Sequence, residues 1–224
     1  MPERAIDFSK PIPLFPLGSC VLLPHTTVPL TIFEPRYRVM VEDALGSDRI
    51  ISMGIYSSDS QPDDHSIREC VCVGYIAKYE MLAGGRYHIL LQGICRAKII
   101  EEVIHTPYRK VTVQPTTGDQ IMEIDLQEER ARIERLLHDS RLMGLSSIGA
   151  VNHWLSSEIP TDTLIDQTTL MTCSDNEIRY SMLRERDVYQ RAAWLTEYLQ
   201  KTRHLIEIAE KYGLPRSDDG YCLN

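Results

Sequence analysis

No stretch of this sequence approaches ~18 uninterrupted apolar residues, and none near its start joins a basic segment to a long apolar run. A membrane-crossing helix and a secretory leader are therefore not expected, and the chain reads as soluble and cytoplasmic. Positive charge is also scarce. Twenty-four Lys and Arg stand against 32 Asp and Glu, and the deficit is uneven: residues 1–118 hold 12 against 13, residues 119–224 hold 12 against 19. An acidic second half disfavours nonspecific attraction to nucleic acid or anionic lipid. A glycine-rich phosphate loop ending in Lys-Ser or Lys-Thr is missing, which excludes the usual ATPase chemistry. The seven histidines, at 25, 65, 88, 105, 138, 153 and 204, form no i, i+4 pair. His25 beside Pro24 reads as a surface turn, Asp63-Asp64-His65 as a solvated acidic loop, and Glu101-Glu102 as carboxylates on opposite faces of a strand. Six cysteines, at 20, 70, 72, 95, 173 and 222, are scattered in a chain large enough to fold without disulfides. They read as reduced core thiols. Cys70 and Cys72 share one strand face, but no second ligand pair follows, so neither a metal nor a cofactor is expected.

What is present begins with Pro11-Ile12-Pro13-Leu14-Phe15-Pro16-Leu17, followed by Val21-Leu22-Leu23-Pro24 and Pro29-Leu30-Thr31-Ile32-Phe33-Glu34-Pro35-Arg36-Tyr37-Arg38. Prolines among large apolar residues forbid helix and demand extended chain. Pro35 suits a first helical position, and Glu34, held extended by it, brings a carboxylate to the helix's positive end. Tyr37, Met40, Val41, Ala44 and Leu45 then follow one helical face, with Gly46 as a left-handed stop.

A buried strand is expected over 49–56, a polar loop over 57–69, and a strand over 70–80. Gly84-Gly85 marks a hairpin turn, 87–91 returns, and Gly93 marks a bulge before the strand resumes over 94–104. Thr106-Pro107 breaks the chain, and 108–114 closes the set. Six or so strands with one inserted helix suggest a compact barrel. From Asp119 the period becomes helical. Leu126, Arg130, Ile133, Leu136 and Leu137 stripe one helix; Ile148, Val151 and Leu155 stripe another, ended by Pro160. Residues 161–171 make a third, Ser174-Asp175-Asn176-Glu177 starts a fourth, and a long last helix stops at Gly213. The expected organisation is a β-barrel over 1–118, a helical bundle over 119–214 and a tail over 215–224.

The strand-to-helix segment resembles the signature of the Lon protease N-terminal domain family. The likeness extends through Val73-Gly74-Tyr75-Ile76-Ala77, Gly84-Gly85-Arg86-Tyr87, Leu90-Leu91-Gln92-Gly93-Ile94-Cys95-Arg96 and Pro107-Tyr108-Arg109, in the family's order. It implies an α+β fold, a PUA-like β pseudobarrel with one inserted helix followed by an α-helical bundle. It also implies a noncatalytic, stand-alone polypeptide-binding module, an adaptor or regulator in protein quality control. Its partners would be unfolded or exposed polypeptide segments and a Lon-type protease. The nucleotide-binding and Ser-Lys proteolytic parts of full Lon proteases have no counterpart among these residues.

The expected contact residues are Phe33, Arg36, Tyr75, Arg86 and Arg96, on a face between the first helix and the hairpin. There an exposed Phe33 beside an unpaired strand edge would anchor an extended peptide. Glu34, Pro35, Tyr37 and Gly93 are expected to be structural. The rival reading is an RNA- or nucleotide-binding PUA-like protein. Residues 68–110 hold seven Lys and Arg against four Glu, interleaved with Tyr75, Tyr79, Tyr87 and Tyr108.

Overall fold

In the computed structural model the described residues are 6–18, 20–57, 66–103, 106–116, 118, 121–145, 147, 148, 151 and 159–213. Among the described residues six strands occur: β1 (Ile12–Pro16), β2 (Thr27–Ile32), β3 (Ile50–Gly54), β4 (Cys70–Leu82), β5 (Arg86–Val103) and β6 (Arg109–Pro115). The helices are α1 (Pro35–Leu45), a 3-10 turn at Glu123–Leu126, α2 (Gln127–Leu137), α3 (Ser140–Met143), α4 (Thr161–Thr172), α5 (Asn176–Arg184) and α6 (Val188–Lys211). The helix expected through Ile148, Val151 and Leu155, and the tail from 215, fall largely outside the described residues. Two compact units result: Met1–Thr117 with Asn176–Arg184, and Gly118–Asp175 with Glu185–Asn224.

The first unit is a mixed sheet ordered β2-β5-β4-β3-β1-β6, in which β6 also pairs with β5. That extra pairing closes five strands into a ring, leaving β2 attached to one end of β5. Only β1 and β3 run parallel. Inside the ring Leu14, Ile50, Val71, Val73, Ala97 and Val111 form a buried apolar cluster. β5 reaches both neighbours because it is long and bends: residues 87–92 face β2, and 97–103 face β6.

The bend sits at Gly93. The β4–β5 register slips between Val73, opposite Cys95, and Gly74, opposite Gly93, so Ile94 is the extra residue of a bulge. The segment before β2 crosses directly over this point. Gly93 N–H donates to the Thr26 carbonyl (2.9 Å) and accepts at its own carbonyl from His25 N–H (3.0 Å). A Cβ on Gly93 would lie 2.1 Å from the Leu23 carbonyl oxygen, a main-chain atom with no freedom to retreat.

Pro35 opens α1 as expected, and Tyr37, Met40, Val41 and Ala44 are its buried face. Gly46 is not the left-handed stop. Its φ is −76°, and the positive φ falls on Arg49 (62°), whose N–H donates to the Ala44 carbonyl (2.9 Å). A residue with a Cβ in this region costs roughly 1 kcal/mol. Ordering the turn into β3 offsets that cost through the Ile76 N–H bond to the Arg49 carbonyl (2.9 Å).

Helix α5 belongs with the strands, although its sequence neighbours are helices of the other unit. The Arg68 guanidinium donates to both carboxylate oxygens of Glu177 (2.7 and 2.8 Å) and lies over the Tyr180 ring (4.5 Å). Cys70 N–H donates to the Tyr180 hydroxyl (3.2 Å), and Arg96 reaches the Met182 carbonyl (3.5 Å).

In the second unit α6 carries a buried guanidinium, Arg191, between Asp162 (2.6 Å) and Asp166 (3.2 Å) of α4. The Glu123 carboxylate accepts the Thr161 N–H (2.9 and 3.1 Å) at the start of α4, where the helix has no side-chain cap of its own.

Gly93→Ala is expected to lower the unfolding free energy by about 3 kcal/mol, the upper end of the typical overpacking cost, because the atom it meets is main chain. Gly18→Ala, where a Cβ meets nothing within 4 Å, should stay within about 0.5 kcal/mol of the parent. Urea unfolding of both variants provides the check.

Candidate functional site

Large apolar side chains stand exposed on β4 beside the hairpin turn and, separately, at the end of β2 where α1 begins. Phe33, just past β2, is 64% exposed, Tyr79 is 50% exposed and Met81 is 68% exposed. Their positions follow from register. Ile32 pairs with Tyr87, and Tyr87 with Met81, so these three share one sheet face; Leu30, Ile89 and Tyr79 form the next row on the same face. Ile32, Tyr87 and Ile89 are buried, while Tyr79 and Met81, on the outermost strand of this part of the sheet, are not.

Helix α1 is tied down beside them by two tyrosines. The Tyr87 hydroxyl donates to Glu42 (3.2 Å) and the Tyr108 hydroxyl to Asp43 (2.7 Å). Burial, followed by the neighbouring carboxylate that needs a proton to accept, raises both hydroxyls above their ordinary range. At the helix start, Tyr37 meets Phe15 edge to face with ring centroids 4.7 Å apart. The Arg49 guanidinium lies over the Tyr79 ring (5.7 Å). Arg38 lies against the hairpin turn, and a Cβ on Gly85 would meet its guanidinium at 2.1 Å. Its buried Nε has no hydrogen-bond partner among the described residues.

Of the five expected contact residues three, Phe33, Arg36 and Arg86, are exposed, and two, Tyr75 and Arg96, are not. Phe33 is exposed, as is Arg86, whose Nε reaches the Ala83 carbonyl (3.4 Å). Arg36 is exposed but occupied: Nε and a terminal nitrogen bond Glu34 (3.0 and 2.9 Å), and the guanidinium lies over Tyr37 (4.5 Å). Glu34 thus spends its carboxylate on Arg36 and makes no cap bond to α1. Arg96 is corrected: it is only 7% exposed, because its stem lies on the strand face that α5 covers. Tyr75 is also corrected, being half-buried against the barrel cluster rather than at the helix–hairpin face. The sequence reading missed Arg38 and Met81 and assigned Tyr79 to stacking. The signal for Tyr79 and Met81 was the i, i+2 continuation of the strand pattern to the hairpin tip, where no facing layer remains to cover it, whereas Arg38, on α1, meets the hairpin only through the tertiary fold.

Four of the seven basic residues of 68–110 are paired with carboxylates or buried. Arg68 pairs with Glu177, Lys98 with Glu69 (2.9 Å) and Arg109 with Glu102, while Arg96 is buried. Among the described residues no three His, Cys, Asp or Glu side chains are grouped to hold a metal ion; Asp63-Asp64-His65 lies outside them.

The family model for the substrate-binding domain of ATP-dependent protease La (Lon) matches residues 11–201. A Lon protease of Heliobacterium modesticaldum is 26% identical over 219 residues, covering 93% of this chain and 26% of that protein. One from Desulforamulus reducens is 29% identical over 164 residues, covering 72% and 19%. The chain thus spans about a quarter of the length of such relatives. Among solved structures, a Lon N-terminal domain protein from Xanthomonas campestris superposes with a TM-score of 0.60 at 20% identity, covering 84% of this chain and 98% of that one. The N-terminal domain of a Mycobacterium avium complex Lon protease gives 0.63 at 17% identity, covering 85% and 98%. Both likenesses establish the α+β fold.

Alkaline pH is expected to weaken the barrel. Burial pushes the Cys95 thiol from 9.0 up to about 11, and raises Cys20 and Cys70 as well. Between pH 9 and 11 the unfolded chain loses thiol protons that the folded chain keeps, so unfolding gains and stability falls as pH rises; below pH 9 the contribution is intact. Urea midpoints at pH 8 and 10.5 should show the drop, with a shallower slope for Cys95→Ala. A flat profile contradicts this.

Proposed function

The chain belongs to the Lon substrate-binding domain family, and on that premise we propose that it is a noncatalytic module that holds exposed or unfolded polypeptide segments. The observation that carries this reading is the pair of large exposed apolar side chains, Tyr79 and Met81, two residues apart on one face of β4 beside the hairpin turn. Monomeric proteins seldom leave such side chains grouped unless something docks there. Holding an extended segment needs apolar contact and main-chain partners but no reactive group. The relatives carry this type of domain within proteins about four times as long, and the module is accordingly assigned as an adaptor or regulator working with a Lon-type protease. No described helix is long and apolar enough to cross a membrane, and the setting we assign is the cytoplasm.

Fluorescence anisotropy tests the reading with two labelled probes at 50, 150 and 400 mM salt: reduced, carboxymethylated lysozyme as a permanently unfolded chain, and a single-stranded RNA. Saturable polypeptide binding that weakens less than about tenfold across this range is expected, since apolar contact is insensitive to counterions while phosphate contact is not. RNA binding that collapses with salt, without polypeptide binding, contradicts it.

A further inference from the structure

We propose that the free edge of β4, at Tyr79 and Met81, takes up an extended segment of polypeptide as an added strand, and that the segment it suits is apolar with a carboxylate nearby. The proposal rests on the polypeptide-binding reading and gives it a place and a bonding pattern.

Directly opposed residues of an antiparallel pair alternate between those that exchange main-chain bonds and those that turn them away. On β2 and β5 the phase is set by the Gly93 N–H bond to the Thr26 carbonyl. Counting along the register, Val28, Leu30 and Ile32 bond Leu91, Ile89 and Tyr87. The remaining residues of β5, Leu90, His88 and Arg86, turn to β4 and bond Lys78, Glu80 and Leu82. The turn agrees, since Gly85 N–H donates to the Leu82 carbonyl (3.2 Å) at the closing pair. Tyr79 and Met81 are therefore left with N–H and C=O directed away from β5. On that side β4 pairs with β3 only from Cys72 to Tyr75, and the last bond is Ile76 N–H to the Arg49 carbonyl.

The other free edge is different. On β2 the outward positions are Thr27, Pro29 and Thr31, and Pro29 interrupts the row of donors, a common device against strand addition. The edge of β4 has no proline, and its two outward residues carry the exposed apolar side chains of the site. Two guanidiniums flank it, Arg49 over the Tyr79 ring and Arg38 at the turn, the latter with no carboxylate partner among the described residues. Alternate main-chain bonds, apolar contact on one face and flanking positive charge together define the occupant.

The test uses the full chain and the carboxymethylated lysozyme probe. Met81→Pro removes one outward donor without touching the β4–β5 ladder and should weaken binding at least tenfold. Thr31→Pro, the same change on the edge of β2, should stay within twofold of the parent. The same polypeptide alkylated to neutral carbamidomethyl groups should bind at least threefold more weakly, and equal affinity would remove the carboxylate from the proposal. A second measurement needs no variant: amide exchange at Tyr79 and Met81 should slow at least tenfold when the probe saturates the parent. Unchanged exchange at both, with the probe bound, overturns strand addition and leaves polypeptide binding standing; no binding of the probe at all sinks both. Protection that depends on protein concentration without probe would assign the edge to a second copy of this chain and overturn the proposal.

Discussion

The close approach of the Leu23 carbonyl to Gly93 is the constraint from which the barrel unit follows. An 18-residue strand cannot serve β2 at one end and β6 at the other while staying flat, because its pairing directions must diverge as the ring closes. The bulge at Ile94 makes the turn, and the segment from Leu23 to Thr26 lies directly on it, replacing ladder bonds that the bulge interrupts. A methyl group at 93 would separate the two. Closure in turn fixes how far β4 and β5 run beyond the ring, and thus where the hairpin tip and its exposed residues stand.

Helix α1 is positioned by the same closure. Tyr87 comes from the β2-facing half of β5 and Tyr108 immediately precedes β6, and they hold the consecutive residues Glu42 and Asp43 in the last turns of α1. Both tyrosines are buried around their rings and spend their hydroxyls on the helix. The outward consequence is functional. With α1 fixed, Arg38 and Arg49 reach the hairpin from its two ends, and the face carrying Tyr79 and Met81 stays open between them.

Much of the architecture was legible in the residues. Prolines at 11, 13 and 16 implied extended chain, Pro35 a helix start, Gly84-Gly85 a turn and Gly93 a bulge, because each is a backbone rule that holds locally. Gly46 misled because glycine permits a left-handed stop without requiring one. The positive φ went to Arg49, where the bond to Ile76, a tertiary partner invisible in sequence, compensates for it. Arg96 misled for a similar reason: a charged residue on a strand reads as surface, and only the return of α5 some 80 residues later covers it. The exposure of Phe33 and Arg86 was legible because a strand end and a turn can be placed from the pattern. Which edge is free was not, since that depends on the phase of hydrogen bonding and on where β3 stops.

Photo-cross-linking tests the central claim most directly, with a benzophenone side chain placed in separate variants at Met81 and at Ile100. Both positions are exposed, at 68% and 58%, but Ile100 lies on the half of β5 that faces β6, away from the site. Irradiation with an unfolded polypeptide should give an adduct from position 81 and little from 100. Equal yields from the two, or an adduct from 100 alone, would contradict the account.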